Sequence, residues 1–187
     1  NNYSADLLND PTRIKFIEEF YHEVVYKGNR TMSIFEQKYI KKLGLSMPDK
    51  YRQKMIADQK ASHYGQVVPL EDVEKILSMC SSIVRLNCGC KWAKEKKEDK
   101  LCYGISLNPI AWYDYMNLDF FGSPDVAGFE QLTKDEALAH IAESDRQGFV
   151  HSVWTFKTPF IGAICNCDKR YCLSMRSTIG LDVPVMF

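Results

Sequence analysis

The stretch GFVHSVWTFKTPFIGAICNC, residues 148–167, decides the fold class of this chain. Two runs rich in β-branched and aromatic residues, 149–156 and 160–165, flank turn-forming residues at 157–159. Short runs of this composition on either side of a turn are typical of a β-hairpin. The hairpin is predicted to carry a cysteine group, which begins at Cys165, at its far end.

A helix is predicted immediately before this hairpin. Thr133 and Glu136 have the Thr-x-x-Glu spacing of a capping box, in which each side chain bonds the other residue's backbone, and Leu132 stands at the staple position. Apolar residues then recur at helical spacing as far as Gly148, a typical helix stop.

An earlier stretch, VPLEDVEKILSMCSSIVRLNCGC at residues 68–90, repeats the order of helix, strand and cysteines. Apolar residues recur at helical spacing over 70–80, and a mainly β-branched run follows over 83–86. The sequence predicts that this strand delivers Cys88 and Cys90 at its end. Both cysteine groups then lie at strand ends of one small antiparallel sheet.

The first third of the chain has a helical pattern and no obvious chemistry of its own. Helices are predicted over 11–27, 33–43 and 48–63. We therefore predict an α+β protein, with an N-terminal helical segment at residues 1–66. A cysteine-rich domain with a small antiparallel sheet and packed helices follows at 67–187.

Two connections separate the predicted elements of the second part. Segment 91–100 alternates Lys with Glu or Asp, which favours a solvated loop or a short helix. Segment 103–130 is rich in aromatic residues and is interrupted by Pro and Gly, which favours an irregular connection covering a core.

The composition excludes several classes of protein. Of 187 residues, 45% are hydrophobic and 26% are charged, as in an ordinary globular protein, and the formal net charge is zero. A neutral molecule has no long-range attraction for nucleic acid or an anionic membrane, so neither is predicted as a partner. No apolar run approaches the roughly 20 residues that span a bilayer, and the polar start is not typical of a secretory signal. We predict a cytoplasmic protein.

Seven cysteines are unusual in a cytosolic chain of this size, and an odd number cannot form a closed set of disulfides. Cys80 stands alone on an apolar helical face and is predicted to be a core residue. Six cysteines fall in two groups and are the candidate ligands: Cys88, Cys90, Cys102, Cys165, Cys167 and Cys172.

The spacing of these six residues predicts a metal centre. In a strand, residues i and i+2 point to the same face, so each Cys-x-Cys pair can aim two sulfurs at one site. Thiolates suit zinc or iron-sulfur clusters and are poor ligands for magnesium or calcium. The spacing matches neither the usual zinc-finger pairs nor the ferredoxin run, so iron-sulfur, zinc, and disulfides or plain buried thiols remain alternatives at this point.

A wider set of motifs bears on this choice. They are Val68-Pro69-Leu70-Glu71, Cys88-Gly89-Cys90, Cys102, Leu132-Thr133-Lys134-Asp135-Glu136-Ala137, Gly148-Phe149-Val150-His151, and Cys165-Asn166-Cys167 with Cys172. With these motifs, over residues 67–176, the chain resembles a family of ferredoxin-like, 4Fe-4S-binding proteins of anaerobic bacteria and archaea. The resemblance implies an iron-sulfur cluster, with the six cysteines as candidate ligands, and electron transfer for a partner enzyme as the role.

The chain departs from this family in two respects. Members commonly carry Arg directly after the first Cys-x-Cys and extra cysteines beside the second, where this chain has Lys91 and Asp168. Many members also append a ferredoxin module, which is absent here. A cubane takes four thiolates, so two of the six cysteines are surplus, or the cluster is not a cubane.

Several other residues have a plain structural interpretation beside a functional one. His151 is either a satisfied half-buried histidine or a group that tunes the centre, and Asn166 either caps a turn or donates to a sulfur. Four aromatic residues either shield the centre or form the core beneath it: Trp92, Tyr103, Trp154 and Tyr171.

Three functions follow as hypotheses. The first is an electron carrier or accessory redox protein, rather than an enzyme, because no nucleotide-binding or hydrolase motif occurs. The second is a structural zinc module that binds a partner, and the third is a redox sensor that uses the two surplus thiols.

Overall fold

The computed structural model describes residues 46–62, 65–107, 130–155 and 161–186, together with the single residues Lys15, Glu19, Glu23, Lys27, Gly28, Arg30, Thr31 and Ser33. The helices in these ranges are α1 (Asp49–Ser62), α2 (Leu70–Met79), α3 (Gly89–Glu95), α4 (Lys134–Arg146) and α5 (Leu173–Met175), which continues into a π-helical turn, Arg176–Gly180. The strands are β1 (Gly65–Val67), β2 (Ser82–Leu86), β3 (Cys102–Ser106), β4 (Glu130–Gln131), β5 (Val150–Thr155) and β6 (Ile161–Cys167).

The six strands form one sheet in the order β1-β5-β6-β3-β2-β4, and every neighbouring pair is antiparallel. β5 and β6 are the two arms of the predicted hairpin, with Val150 opposite Cys167 and Val153 opposite Ile164. β3 pairs with β6 in the middle of the sheet and so joins the earlier half of the domain to the later half. The predicted α+β class and antiparallel sheet are confirmed.

One face of the sheet is covered by α2 and α4. Side chains alternate between the two faces of a strand, and Tyr103, on β3, and Ile164, on β6, both point to this face and are fully buried. Val73 and Leu77 of α2, with Ile141 of α4, pack against them. The helical spacing of apolar residues in the sequence therefore marks the sides of α2 and α4 that contact the sheet.

The opposite face of the sheet carries cysteines. Leu86, Cys102 and Trp154 point to this side from three strands. Met186, near the end of the described chain, packs in the same cluster, and Gly65 of β1 forms an isolated parallel bridge with it. We call this side of the sheet the thiol face.

Several boundaries agree with the sequence-based predictions. The predicted helix over 48–63 is observed as α1, the helix over 70–80 as α2, and the run over 83–86 as part of β2. The predicted helices over 11–27 and 33–43 lie largely outside the described residues.

Of two predictions about the rest of the chain, one is partly wrong and the other stays a prediction. The irregular connection predicted for 103–130 is wrong at its start, because Cys102–Ser106 forms β3, and 108–129 lie outside the described residues. The domain division at residue 66 stays a prediction, although β1 (Gly65–Val67) includes that boundary and joins the sheet. Within the described ranges, no helix has the length and apolar character needed to cross a membrane.

The capping box of α4 is confirmed. The backbone N–H of Glu136 donates to Thr133 Oγ1 at 3.3 Å, and the backbone N–H of Thr133 donates to Glu136 Oε2 at 2.8 Å. These bonds satisfy two backbone donors that the helix leaves unpaired. They also lower the pKa of the Glu136 carboxyl, first through the backbone N–H of Thr133.

Replacing the cap residue is expected to destabilise the domain. Thr133→Ala removes the acceptor for the Glu136 N–H and should lower the free energy of unfolding by about 1 kcal/mol. Thr133→Ser retains a hydroxyl at the same position and should cost much less. Urea unfolding of the two variants and the parent measures the difference, and equal losses for Ala and Ser would contradict a capping role.

Candidate metal centre

The second cysteine pair lies on a strand, as the sequence predicts. Cys165 and Cys167 are in β6, two residues apart, and both point to the thiol face. The prediction that this pair aims two sulfurs at one side of the sheet is therefore confirmed.

Cys102 joins this pair through the register of the sheet. It lies directly opposite Cys165 across the β3–β6 ladder, and the two sulfurs are 3.7 Å apart. The backbone N–H of Asn166 donates to Leu101 O, so hydrogen bonds flank the Cys102–Cys165 pair and do not join its two residues. Side chains come closest at such positions of an antiparallel ladder, which accounts for the contact between the sulfurs.

The first Cys-x-Cys pair is placed differently from the prediction. β2 ends at Leu86, Cys88 is the N-cap of α3, and Cys90 lies in the first turn of that helix. The pair therefore lies at a helix start rather than at the end of an extended strand. The Asp99 carbonyl accepts from the Cys88 N–H at 2.7 Å, which fixes the chain at this change of direction.

Cys172 returns to the thiol face through a tight turn after β6. The backbone N–H groups of Tyr171 and Cys172 both donate to Asp168 O. Asp168 also accepts from the backbone N–H of Arg170 through its side chain, at 2.7 Å. The turn ends at Cys172, which is the N-cap of α5.

The six candidate cysteines come together. Their sulfurs interact in a row, each with the next, in the order Cys165, Cys102, Cys88, Cys90, Cys172 and Cys167. The first and last members of this row are the two cysteines of β6, so the row closes on itself through that strand. We call these six side chains the thiol ring.

Hydrogen bonds within the thiol ring lower the pKa values of two of its thiols. The pKa of Cys88 lies well below its usual value, first because Cys102 donates to its sulfur and then because Cys90 shares its one S–H proton between Cys88 and Cys172. The pKa of Cys172 is likewise lowered, first by donation from Cys167 and then from Cys90. Cys88 and Cys172 are therefore the two sulfurs of the ring best suited to carry negative charge.

The pKa values of the thiols that donate these hydrogen bonds are raised. Cys90 and Cys167 each donate to Cys172, and Cys102 shares a hydrogen bond with Cys165, so the pKa values of Cys90, Cys102 and Cys167 lie well above the usual range. Burial raises all three further, because a thiolate loses solvation in an apolar environment.

Backbone N–H groups at two helix starts also lower the pKa values of Cys88 and Cys172, the thiols that accept these hydrogen bonds. Neither Cys88 nor Cys172 makes a side-chain capping hydrogen bond of normal geometry. Nevertheless, the backbone N–H of Lys91 lowers the pKa of Cys88, and those of Met175 and Ser174 lower the pKa of Cys172. The N–H dipoles of a first helical turn favour a negative sulfur.

The thiol ring is largely screened from water. Cys88, Cys102, Cys167 and Cys172 are at most 9% exposed, while Cys90 and Cys165 are half-buried. Their neighbours in the cluster are apolar: Val84, Leu86, Leu101, Phe149, Trp154, Ala163, Met175 and Met186. Trp154 Nε1 donates to Ser152 Oγ at 2.8 Å, and Ser152 Oγ lies 3.4 Å from Cys167 Sγ. Trp154 thus both packs in the cluster and orients a hydroxyl beside one sulfur.

Cys80 is separate from the thiol ring. It is 4% exposed, packs in the cluster between the helices and the sheet, and donates through Sγ to Ile76 O at 3.2 Å. Burial raises the pKa of its thiol to about 11. The prediction that Cys80 is a core residue is confirmed.

His151 and Asn166 face away from the thiol ring. They are opposite each other in the β5–β6 ladder, with His151 Nδ1 2.7 Å from Asn166 Oδ1, and His151 Nε2 lies 3.3 Å from Asp145 Oδ1. Asn166 Nδ2 donates to Leu101 O. His151 is thus a satisfied buried histidine. Of the two roles considered for Asn166, donation to a sulfur is not observed, because its amide hydrogen-bonds to His151 and Leu101 O.

Basic side chains surround Tyr171, next to Cys172 in sequence. The Nζ atoms of Lys91 and Lys94 lie 5.2 and 5.7 Å from the centre of its ring, and the Arg170 guanidinium lies 5.4 Å away. Lys94 also donates to Arg170 O and so links α3 to the turn after β6. The sequence shows the lysines of 91–100 as one charged segment, and this cluster is not visible in it because the members come from two distant segments.

The aromatic residues predicted near the cysteines divide between two environments. Trp154 is in the thiol-face cluster, whereas Tyr103 is buried on the helical side of the sheet. Trp92 lies on α3, with Lys96 Nζ 5.1 Å from its ring centre. Of these three aromatic residues, only Trp154 packs in the same cluster as the thiol ring, where it excludes water from the sulfurs.

The comparisons do not identify a family. No family model, no curated protein and no solved structure matches the chain. Across the described part of the chain, no three or more His, Cys, Asp or Glu side chains are grouped so that they could hold a metal ion as they stand. The thiol ring is thus a set of sulfurs in mutual contact, and the ligand role of its members stays a prediction.

The raised pKa of Cys80 predicts low reactivity. At pH 8 a thiol with a pKa of about 11 is ionised in only about one molecule in a thousand, and the thiolate is the reactive form. Iodoacetamide should therefore alkylate Cys80 at least about 100-fold more slowly in the folded protein than in urea. Mass spectrometry of the Cys80 peptide measures both rates, and similar rates would show that Cys80 is not held in the core.

Proposed function

We propose that the thiol ring holds an iron-sulfur cluster and that the protein transfers electrons to or from a partner protein. The single observation that supports this most strongly is the convergence of six cysteine sulfurs, from β3, β6, α3 and the start of α5, on one face of the sheet. A fold that only needed buried apolar residues there would not require six thiols on one face, each interacting with the next.

The donor set suits this cofactor. Thiolate sulfur is the usual ligand of iron-sulfur clusters, which typically take four cysteines. Cys88 and Cys172 already have lowered pKa values and are favoured as the first thiolates. When bound, the cluster would supply one-electron transfer, while the chain itself supplies the ligands and their surroundings.

The residues around the ring support an electron-transfer role. Trp154, Leu86 and Met186 exclude water from the sulfurs. The Ser152 hydroxyl lies within hydrogen-bonding distance of Cys167 Sγ. Burial and hydrogen bonds to sulfur are the main means by which a protein sets a cluster potential.

The basic cluster around Tyr171 supports an acidic redox partner. Lys91, Lys94 and Arg170 are close in sequence to Cys90 and Cys172. Asp99 pairs with Lys91 and Asp168 with Arg170, so the exposed Lys169 next to Arg170 is a source of surplus positive charge. Charge complementarity of this kind orients a partner and raises its association rate. We further place this role in the cytoplasm, where free thiols remain reduced.

Structural zinc is the second candidate, because one observation favours it. In a tetrahedral zinc site with Zn–S bonds near 2.3 Å, neighbouring sulfurs are about 3.8 Å apart. The Cys102 and Cys165 sulfurs lie 3.7 Å apart, which is close to this spacing. In this alternative the metal joins β3, β6 and the two helix starts, and it contributes stability without redox activity.

Metal analysis tests the proposal. Protein purified and reconstituted without oxygen is expected to be brown and to contain about four iron and four sulfide per chain. Cys90→Ala should reduce the iron content, while Cys80→Ala, the matched control outside the ring, should retain it. Removal of iron by a chelator should lower the unfolding temperature, because ligand binding to the native state alone stabilises that state. Colourless protein with stoichiometric zinc would support the second candidate and overturn the first.

The charge of the surface near Tyr171 gives a separate prediction. Lys169 is exposed and lies next to Arg170 in sequence. Reduced, cluster-loaded protein should transfer electrons to the anionic cobalt(III)–EDTA complex faster than its charge-reversed variant Lys169→Glu does, by about two- to fivefold at low salt. The difference should shrink as salt is added, because ions screen surface charge beyond about 10 Å at 0.1 M.

Lys54→Glu on α1 is the matched control, since it makes the same change of charge elsewhere on the surface. Stopped-flow absorbance measures the rates, with cationic hexaamminecobalt(III) as the reversed probe. Equal effects of the two substitutions on both probes would contradict a local basic docking surface.

A further inference from the structure

We propose that the thiol ring is divided between two tasks. Cys102 and Cys165 form a reversible cross-strand disulfide, and the other four thiols, Cys88, Cys90, Cys167 and Cys172, hold the metal centre. The assignment of the four ligands rests on the proposed function, whereas the disulfide rests on the geometry of the sheet alone.

The geometry of β3 and β6 selects the pair. Cys102 and Cys165 are the only directly opposed cysteines in the described ladders, and their sulfurs are already 3.7 Å apart. The Cα atoms at a ladder position without joining hydrogen bonds are about 4.5 Å apart, within the range that a disulfide bridges. Rotation of the side chains can therefore bring the sulfurs to the bond length of about 2.0 Å while the strands stay paired.

The remaining four thiols match the donors of a metal centre in number and type. When Cys102 and Cys165 are taken out of the ring, Cys88, Cys90, Cys172 and Cys167 still pack in one cluster and interact in an unbroken row. Four thiolates are the number that a cubane or a tetrahedral zinc ion takes. The division thus accounts for the surplus of two cysteines beside a cubane, whereas the zinc alternative would take Cys102 and Cys165 as ligands.

Cys102 and Cys165 differ in their exposure to solvent. Cys165 is half-buried, whereas Cys102 is 9% exposed. An oxidant of low molecular weight therefore reaches Cys165 first, and Cys102 acts as the second, resolving thiol.

A small disulfide, oxidised glutathione, can accept the two electrons that are released when Cys102 and Cys165 form their disulfide. The Cys165 sulfur attacks oxidised glutathione, which forms a mixed disulfide and releases one glutathione thiol. The Cys102 sulfur then attacks the Cys165 sulfur and releases a second glutathione thiol. Two electrons pass from the protein to oxidised glutathione, and the two thiol protons end on the released glutathione molecules.

The disulfide would act on the metal centre through Cys88. Cys102 donates a hydrogen bond to the Cys88 sulfur in the reduced ring. Oxidation of Cys102 removes that proton, so a ligand sulfur loses a hydrogen-bond partner while the ligand itself stays in place. The oxidation state of the pair is thereby coupled to the centre, which is the arrangement of a redox-sensing site.

The test uses metal-loaded and metal-free protein, each incubated without oxygen with oxidised glutathione. Peptide mapping by mass spectrometry is expected to show a Cys102–Cys165 link in both samples, reversed by dithiothreitol, with the metal retained in the loaded sample. No link, a link between other cysteines, or loss of the metal in step with the link would overturn the proposal.

Variants test the ligand assignment. Cys165→Ala is expected to retain the iron content of the parent and to change the visible absorbance of the iron-loaded protein less than twofold, whereas Cys167→Ala should lose most of the iron. A Cys165→Ala variant that loses metal as fully as Cys167→Ala would contradict the division. If a variant fails to fold, the cross-linking result on the parent protein still decides the disulfide. Parent protein that binds neither iron nor zinc, yet forms the link, would overturn the proposed function and the ligand assignment but not the disulfide.

Discussion

The pairing of β3 with β6 is the interaction on which the candidate site depends. These two strands are far apart in sequence, and their ladder places Cys102 opposite Cys165 in the middle of a six-stranded sheet. The hydrogen bond from the Asn166 N–H to Leu101 O extends this pairing by one residue toward Cys167. A shift of one residue in this register would turn Cys102 to the helical face, because side chains alternate along a strand.

The two faces of the sheet divide stability from chemistry. On one face, fully buried aliphatic side chains such as Leu77, Ile141 and Ile164 form a core between the helices and the sheet. On the other, four of the six ring cysteines are buried among apolar residues. Because the first face supplies a core of its own, the thiol face can carry ligands and a hydrogen-bonded hydroxyl without being the only source of stability.

The sequence predicted the elements with strong local signals and missed those set by long-range contacts. The Thr133–Glu136 capping box and the β5–β6 hairpin depend on neighbours in the chain, and both are observed. The first Cys-x-Cys pair was assigned to a strand end because spacing of i and i+2 does not distinguish a strand from a helix start. β3 was missed because its alternation is short and follows a charged segment, and its partners are distant in sequence.

The pKa differences among the thiols of the ring explain why the ring favours the binding of a cation. Within the apolar cluster, only Cys88 and Cys172 have lowered pKa values, and each relies on protons from its neighbours. A third or fourth thiolate would place like charges in contact with little water to screen them. A metal centre supplies positive charge at the same place and can replace those protons, so that the donors Cys90 and Cys167 can ionise as well. The hydrogen-bonded ring is in this sense the protonated counterpart of a metal-thiolate site, and the proton is what the metal has to displace.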